Sequence, residues 1–175
     1  MTILQHPQFI HDYIRLKHVT LNPRRHTAGN AYDHCEQVVA RVRDLAKVNA
    51  CTDADTATLI TLAKVHDIGK IGGSSSPRQS LLQMVRYGCR DQVLLNLVKY
   101  HDINLPWYIA SRKGQPPSPK AWRKLNTAVN AKLLSLFMVA DRIDCPGGWQ
   151  TNDALMWFLT TAQQMQFLTE ALNYA

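Results

Sequence analysis

The sequence predicts an all-α protein folded as a single helical bundle. Apolar residues recur at helical spacing along most of the chain, as in Leu59-Leu62-Ala63, Leu94-Leu97-Val98 and Leu134-Phe137-Met138. No stretch of useful length alternates apolar and polar residues as a strand does, and neither a repeat nor a heptad array is present. Breaker and cap residues separate the periodic runs at Asn22-Pro23, Thr52-Asp53, Gly88 and Cys145-Pro146-Gly147-Gly148. With 175 residues the chain is most simply one domain, residues 1–175, with a substantial buried core.

Residues 7–19 read as a short helix, with Pro7 suited to its first turn. The basic stretch Arg24 to Gly29 follows as a polar loop, solvated by preference, with a phosphate contact as the alternative. Residues 31–49 form an amphipathic helix whose apolar face carries Val38, Val42, Leu45 and Ala46, with His34 one turn before Val38. Thr52 or Asp53 caps the next helix, which runs to His66-Asp67. Residues 71–80, IGGSSSPRQS, read as a flexible loop at the active site. Two helices are expected over 78–88 and 91–102, then a long loop over 105–119 carrying Trp107 and Tyr108. That loop offers rings either for stacking a base or for covering the core. A helix over 126–144 and a last one over 152–173 complete the bundle.

The chemistry-bearing residues sit on the apolar stripes. His66 continues the stripe of Leu59, Leu62 and Ala63, and Asp67 follows it. His101 continues that of Leu94, Leu97 and Val98, with Asp102 next. Asp141 shares a face with Leu134, Phe137 and Met138, and His34 lies on the face of Val38. Burying such groups unpaired costs several kcal/mol; a shared metal satisfies imidazoles and carboxylates together, with a buried hydrogen-bond network as the alternative. The dipeptide His-Asp occurs three times, and the first copy, His11-Asp12, has no partner in this arrangement and reads as incidental.

His66-Asp67-Ile68-Gly69-Lys70, with a helical His upstream and an Asp downstream, resembles the HD superfamily of metal-dependent phosphohydrolases over roughly residues 30–145. The resemblance implies an all-helical fold and a metal held by His34, His66, Asp67 and Asp141. It also implies hydrolysis of a phosphate ester by metal-activated water, with Asp67 as ligand and orienter or base. Lys70 is expected to neutralise charge building on phosphate oxygens. Members with several metals carry extra histidines between the doublet and the last Asp, where this chain has only His101. One divalent transition metal (Mn, Fe, Co, Ni or Zn) is therefore expected. His101 and Asp102 are read as substrate contacts, with His101 also a candidate acid or a ligand of a weak second ion. Lys70 stands where deoxynucleotide phosphatase relatives have a glutamate, and the His-His-Glu and Gly-Tyr-Pro signature of cyclic-di-GMP phosphodiesterases is missing.

Twenty Lys and Arg against thirteen Asp and Glu give a net charge of +7, which favours an anionic partner such as a nucleotide or an RNA or DNA end. Four scattered cysteines without a CxxC pair fit a reducing cytoplasm. No signal peptide is legible, and no apolar run reaches the ~20 residues a membrane span needs. The second expectation, from another class, is a non-catalytic module that uses the same residues for metal-linked nucleotide binding or sensing.

Overall fold

The computed structural model describes residues 2–175 and is all-helical: α1 (Pro7–Arg15), α2 (Ala31–Val48), α3 (Asp53–Val65), α4 (Pro77–Arg86), α5 (Gln92–Tyr100), α6 (Asn104–Arg112), α7 (Pro119–Ala128), α8 (Ala131–Ala140) and α9 (Asp153–Gln164). Among the described residues the only β-type pairing is one isolated bridge, Thr20 with Asn30, which pinches the loop between α1 and α2.

Short polar side chains start most of these helices by accepting a backbone N–H in the first turn. Asn30 accepts from Asp33 N (2.9 Å), Thr52 from Asp55 N (3.1 Å), and Asp91 from Leu94 N (3.1 Å). Ser118, Asn130 and Asn152 do the same for α7, α8 and α9. Helix α8 is buried on every side from Leu133 to Ala140, so it is the central helix and needs no polar face. Helices α2 and α3 form an antiparallel pair, and both pack on α8. Lys132, at the start of α8, donates to the carbonyl of Asn49 at the end of α2, so α8 also runs antiparallel to α2.

Several boundaries differ from expectation. The first helix ends at Arg15 and continues as a 3-10 turn, Leu16–His18. Residues 71–80 are only partly loop: a 3-10 turn spans Ile68–Gly72, and Pro77 opens α4. The expected loop over 105–119 is largely the helix α6. Pro106 falls in the first turn of that helix, where a missing N–H breaks no internal hydrogen bond. Trp107 packs on Trp122 with ring centroids 4.8 Å apart, and Tyr108 faces Trp157, so both rings serve packing. The helix expected over 126–144 is broken: Val129 is extended and Asn130 starts α8 anew. The last helix ends at Gln164, and the chain beyond it returns to α2, where Asn49 and Asn173 exchange hydrogen bonds of 2.7 and 2.8 Å.

Asp12 belongs to neither group of candidate metal ligands, yet it is not idle. It is buried and accepts hydrogen bonds from Tyr87 Oη (2.8 Å), Gln8 (3.1 Å) and Arg15 (3.1 Å), joining α1 to the end of α4.

Gly69 shows why the turn after the doublet needs glycine. A Cβ there would lie 2.4 Å from Ser80 N and 2.6 Å from Gln79 C, inside the backbone of α4. The same contact carries a buried hydrogen bond from Gly69 N to Ser80 Oγ (3.0 Å). Gly69→Ala must push α4 off the turn, and overpacking of this kind costs about 1–3 kcal/mol. At roughly 2–4 °C per kcal/mol for a chain of this size, thermal unfolding followed by circular dichroism should register the loss. A melting temperature equal to wild type would mean that α4 yields freely.

Candidate metal centre

The directions of the helices decide where the polar residues meet. His34 stands in the first turn of α2, while His66, His101 and Asp141 are the C-terminal caps of α3, α5 and α8. Antiparallel packing brings the beginning of α2 against the ends of α3 and α8, so residues distant in sequence share one end of the bundle. Helix C-termini carry partial negative charge, and three of them ending here favour a cation.

His34 Nε2 lies 3.0 Å from Asp141 Oδ1 and 3.8 Å from Asp67 Oδ2. His66 Nε2 lies 3.1 Å from Asp141 Oδ1 and 3.4 Å from Asp67 Oδ2. All four side chains are buried. His66 Nδ1 is 3.0 Å from the carbonyl of Ala63, which fixes the ring and turns Nε2 toward the two carboxylates. That Nε2 is fully buried, and although Asp141 is near, it makes no hydrogen bond of acceptable geometry. Close approach without donor–acceptor alignment suits two ligands aimed at a common third point better than a paired donor and acceptor. Donor atoms of His34, His66 and Asp67 all fall within 4.8 Å of one another, so this buried group could hold a metal ion.

The four expected ligands are thus brought together, and the other expected residues stand around them. His101 joins its ring to that of His66 at 5.4 Å, and its Nδ1 is 2.7 Å from the carbonyl of Val98. Lys70 Nζ is 2.6 Å from Asp67 Oδ2, so it is an ion-pair partner of a candidate ligand. Asp102 is further out and partly exposed, held by Arg142 at 2.9 Å. The same guanidinium pairs with Asp141. Arg142 and Asp144 were not singled out from sequence, although both follow Asp141 on the turn that ends α8. Asp144 Oδ1 is 3.1 Å from His34 Nδ1, and Asp144 Oδ2 is 3.0 Å from His26 Nδ1. His34, His26 and Asp144 form a second group of donors within 4.8 Å of one another. Asp144 is hydrogen-bonded to His26, and its carboxylate lies beside His34 Nδ1 without an aligned hydrogen bond, on the side of the ring away from the metal centre. Thr27 N donates to the carbonyl of Asp144 (2.7 Å), so the loop carrying Arg24 and Arg25 is tied to the same turn. Sequence gave no sign of His26 beyond its place in a polar loop.

All of these groups except His66, which lies behind the others, line a cleft of about 530 Å³, within the usual size of small-molecule sites. Arg24, Arg25, Lys70 and Arg142 contribute positive charge to its wall, and Ser75 borders it from the glycine- and serine-rich segment.

Burial opposes charge on every member of the cluster, but partners decide the outcome. Despite burial, the hydrogen bond to Asp141 and the neighbouring Asp144 carboxylate push the His34 imidazole up to about 9. Burial likewise works against charge on His66, yet Asp67 and Asp141 raise it to about 10. Asp67 and Asp141 resist burial and lie well below the usual carboxylate range, Asp67 because of His66 and Lys70, Asp141 because of Arg142 and His66. His101 moves the other way: burial and the charge on His66 lower it, so its ring is neutral. With Nδ1 donating to Val98, its Nε2 presents a lone pair. Cys35, beside His34, is raised by burial and stays an un-ionised thiol.

Without a metal, then, the carboxylates beside His34 and His66 favour the imidazolium form of both rings. Exchanging their two protons for one divalent ion leaves the charge of the cluster unchanged, so the donor set fits a divalent cation electrostatically as well as chemically. No protein-family model matches the chain, and neither does any curated protein or any solved structure.

Metal uptake at pH 7.5 should release about two protons and tighten as pH rises toward 9–10, which calorimetry in buffers of different ionisation enthalpy measures; uptake without proton release would show that the two imidazoles are already neutral in the metal-free protein. The raised imidazoles also stabilise the metal-free protein below pH ~6.5, and that contribution disappears as pH climbs through 9 and 10. In Asp144→Ala the His34 ring loses the carboxylate beside its Nδ1, so metal affinity should drop by about 10–100-fold, read by competition with a chromogenic chelator. Unchanged affinity would reduce Asp144 to a loop tether.

Proposed function

We propose that this protein is a metal-dependent phosphohydrolase of the HD type, acting on a nucleotide or on a phosphate at a nucleic-acid end. The observation that carries the reading is the buried His34–His66–Asp67–Asp141 cluster at the wall of a cleft that also presents Lys70, Arg142, Arg24 and Arg25. Histidine and aspartate together suit Mn, Fe, Co, Ni or Zn. A bound divalent ion would supply Lewis acidity and activate water at neutral pH.

The chain's own residues do the rest. Asp67, as a depressed carboxylate, accepts a hydrogen bond from attacking water and orients it, while Lys70 holds Asp67 ionised and offers positive charge to a phosphoryl oxygen. His101, neutral and with Nε2 unprotonated, serves as an acceptor toward substrate; the same state argues against the role of proton donor. Arg142 neutralises Asp141 and occupies Asp102, so a second ion near His101 would have to compete with a guanidinium. One metal per chain is the consistent stoichiometry. The charge pattern of the cleft favours a phosphate over a neutral substrate, and the same donors would also serve a non-catalytic metal-linked nucleotide sensor.

Turnover separates the two. The metal-free protein should be supplied with manganese, cobalt, nickel or zinc and assayed on p-nitrophenyl phosphate, bis(p-nitrophenyl) phosphate, nucleoside phosphates and 2′,3′-cyclic phosphates. Wild type should hydrolyse at least one ester, and His66→Ala should lose both bound metal and turnover. Metal binding with no hydrolysis across the panel would favour the sensor.

A further inference from the structure

The wall of the cleft changes character away from the metal centre. The starts of α6 and α9, two helices packed on each other, contribute Asn104, Leu105, Asn152 and Ala154, none of them charged. Asn152 has a structural task, since its side chain caps α9. Asn104 is different. It is 1 % exposed, and its Oδ1 is buried without a hydrogen-bond partner. Burying a carboxamide oxygen unpaired is destabilising, and an apolar residue of similar size would remove the penalty. Asn104 stands three residues after His101, whose ring lies against that of His66. Leu105 beside it is 41 % exposed, an apolar side chain facing the cleft.

We propose that Asn104 and Leu105 seat the group to which the phosphate is attached, and that Asn104 determines specificity for it. This rests on the phosphohydrolase reading of the same cleft. A carboxamide offers an acceptor and a donor side by side, the complement of a nucleobase edge or a pair of sugar hydroxyls. Leu105 supplies apolar surface for a ring face. A second phosphate is disfavoured at this wall, because Asn104, Leu105, Asn152 and Ala154 offer it no cation. The group is therefore an uncharged nucleoside moiety, which separates nucleoside monophosphates from inorganic polyphosphate and from sugar bisphosphates.

The test compares wild type with Asn104→Leu and Asn104→Ala as full chains loaded with manganese. Melting temperature, kcat/KM on the best nucleoside phosphate and kcat/KM on p-nitrophenyl phosphate are measured for each. Asn104→Leu should melt at or above the wild-type temperature. Its loss of kcat/KM should be at least about tenfold greater on the nucleoside phosphate than on p-nitrophenyl phosphate. Equal losses on both substrates, or no loss on either, would overturn the proposal. If Asn104→Leu does not fold, the same ratio is read from Asn104→Ala, which adds no bulk. Should wild type hydrolyse no ester, binding of adenosine, guanosine, cytidine and uridine is followed by amide chemical shifts in wild type and variant. Nucleoside binding weakened about tenfold or more by the substitution would keep the seat while the hydrolase reading fails. Equal binding, or none, would remove the seat as well.

Discussion

The buried charge of His34, His66, Asp67 and Asp141 is the constraint to which the rest of this structure answers. Ionised groups in a low-dielectric interior survive only beside opposite charge. Each here has at least one such neighbour within hydrogen-bonding range: Asp141 for His34 and His66, Lys70 for Asp67, Arg142 for Asp141. Those neighbours come from the 3-10 turn after α3 and from the end of α8 with the turn that follows it, while His34 comes from α2, so the pairing is possible only in this packing of helices. The cluster is best understood as a poised site, since its charge is the same with two protons or with one divalent ion. The cluster sits on the core at Phe137, whose ring lies 5.2 Å from that of His66.

Much of this was legible in the sequence because apolar periodicity and cap residues report on burial directly. The stripe through Leu59, Leu62 and Ala63 marks the inward face of α3, and His66 sits where that stripe ends. Asp141 was legible in the same way from Leu134, Phe137 and Met138. What could not be read depends on contacts between distant segments. Periodicity is silent on Asp144, which lies in a turn and acquires its role from His26, 118 residues away. Arg142 was hidden for the same reason, as a lone arginine is ordinarily a solvated one. The segment 105–119 was misjudged because its prolines and glycine outweighed the aromatic contacts that stabilise α6, an instance of tertiary packing overriding local preference.

The pattern of partners also sorts the three His-Asp dipeptides. In His11-Asp12 the aspartate ties α1 to Tyr87 and stabilises the fold. In His66-Asp67 both residues turn to the candidate metal centre. In His101-Asp102 the two part company, the imidazole inward and the carboxylate outward to Arg142. One dipeptide thus has three physical meanings, set by which helix end it occupies and what lies opposite.

Three of the converging residues are helix caps, and this has a consequence for how the gene can change. Each lies at the far end of a helix whose length fixes both its height and its bearing. Inserting or deleting one residue inside α3 or α8 would shift the cap by about 1.5 Å and rotate it by about 100°, taking His66 or Asp141 out of reach of His34. Length variation should therefore be excluded from those two helices in natural variants of this chain and accumulate in the 113–118 connection and near the C-terminus, where no candidate ligand depends on the count.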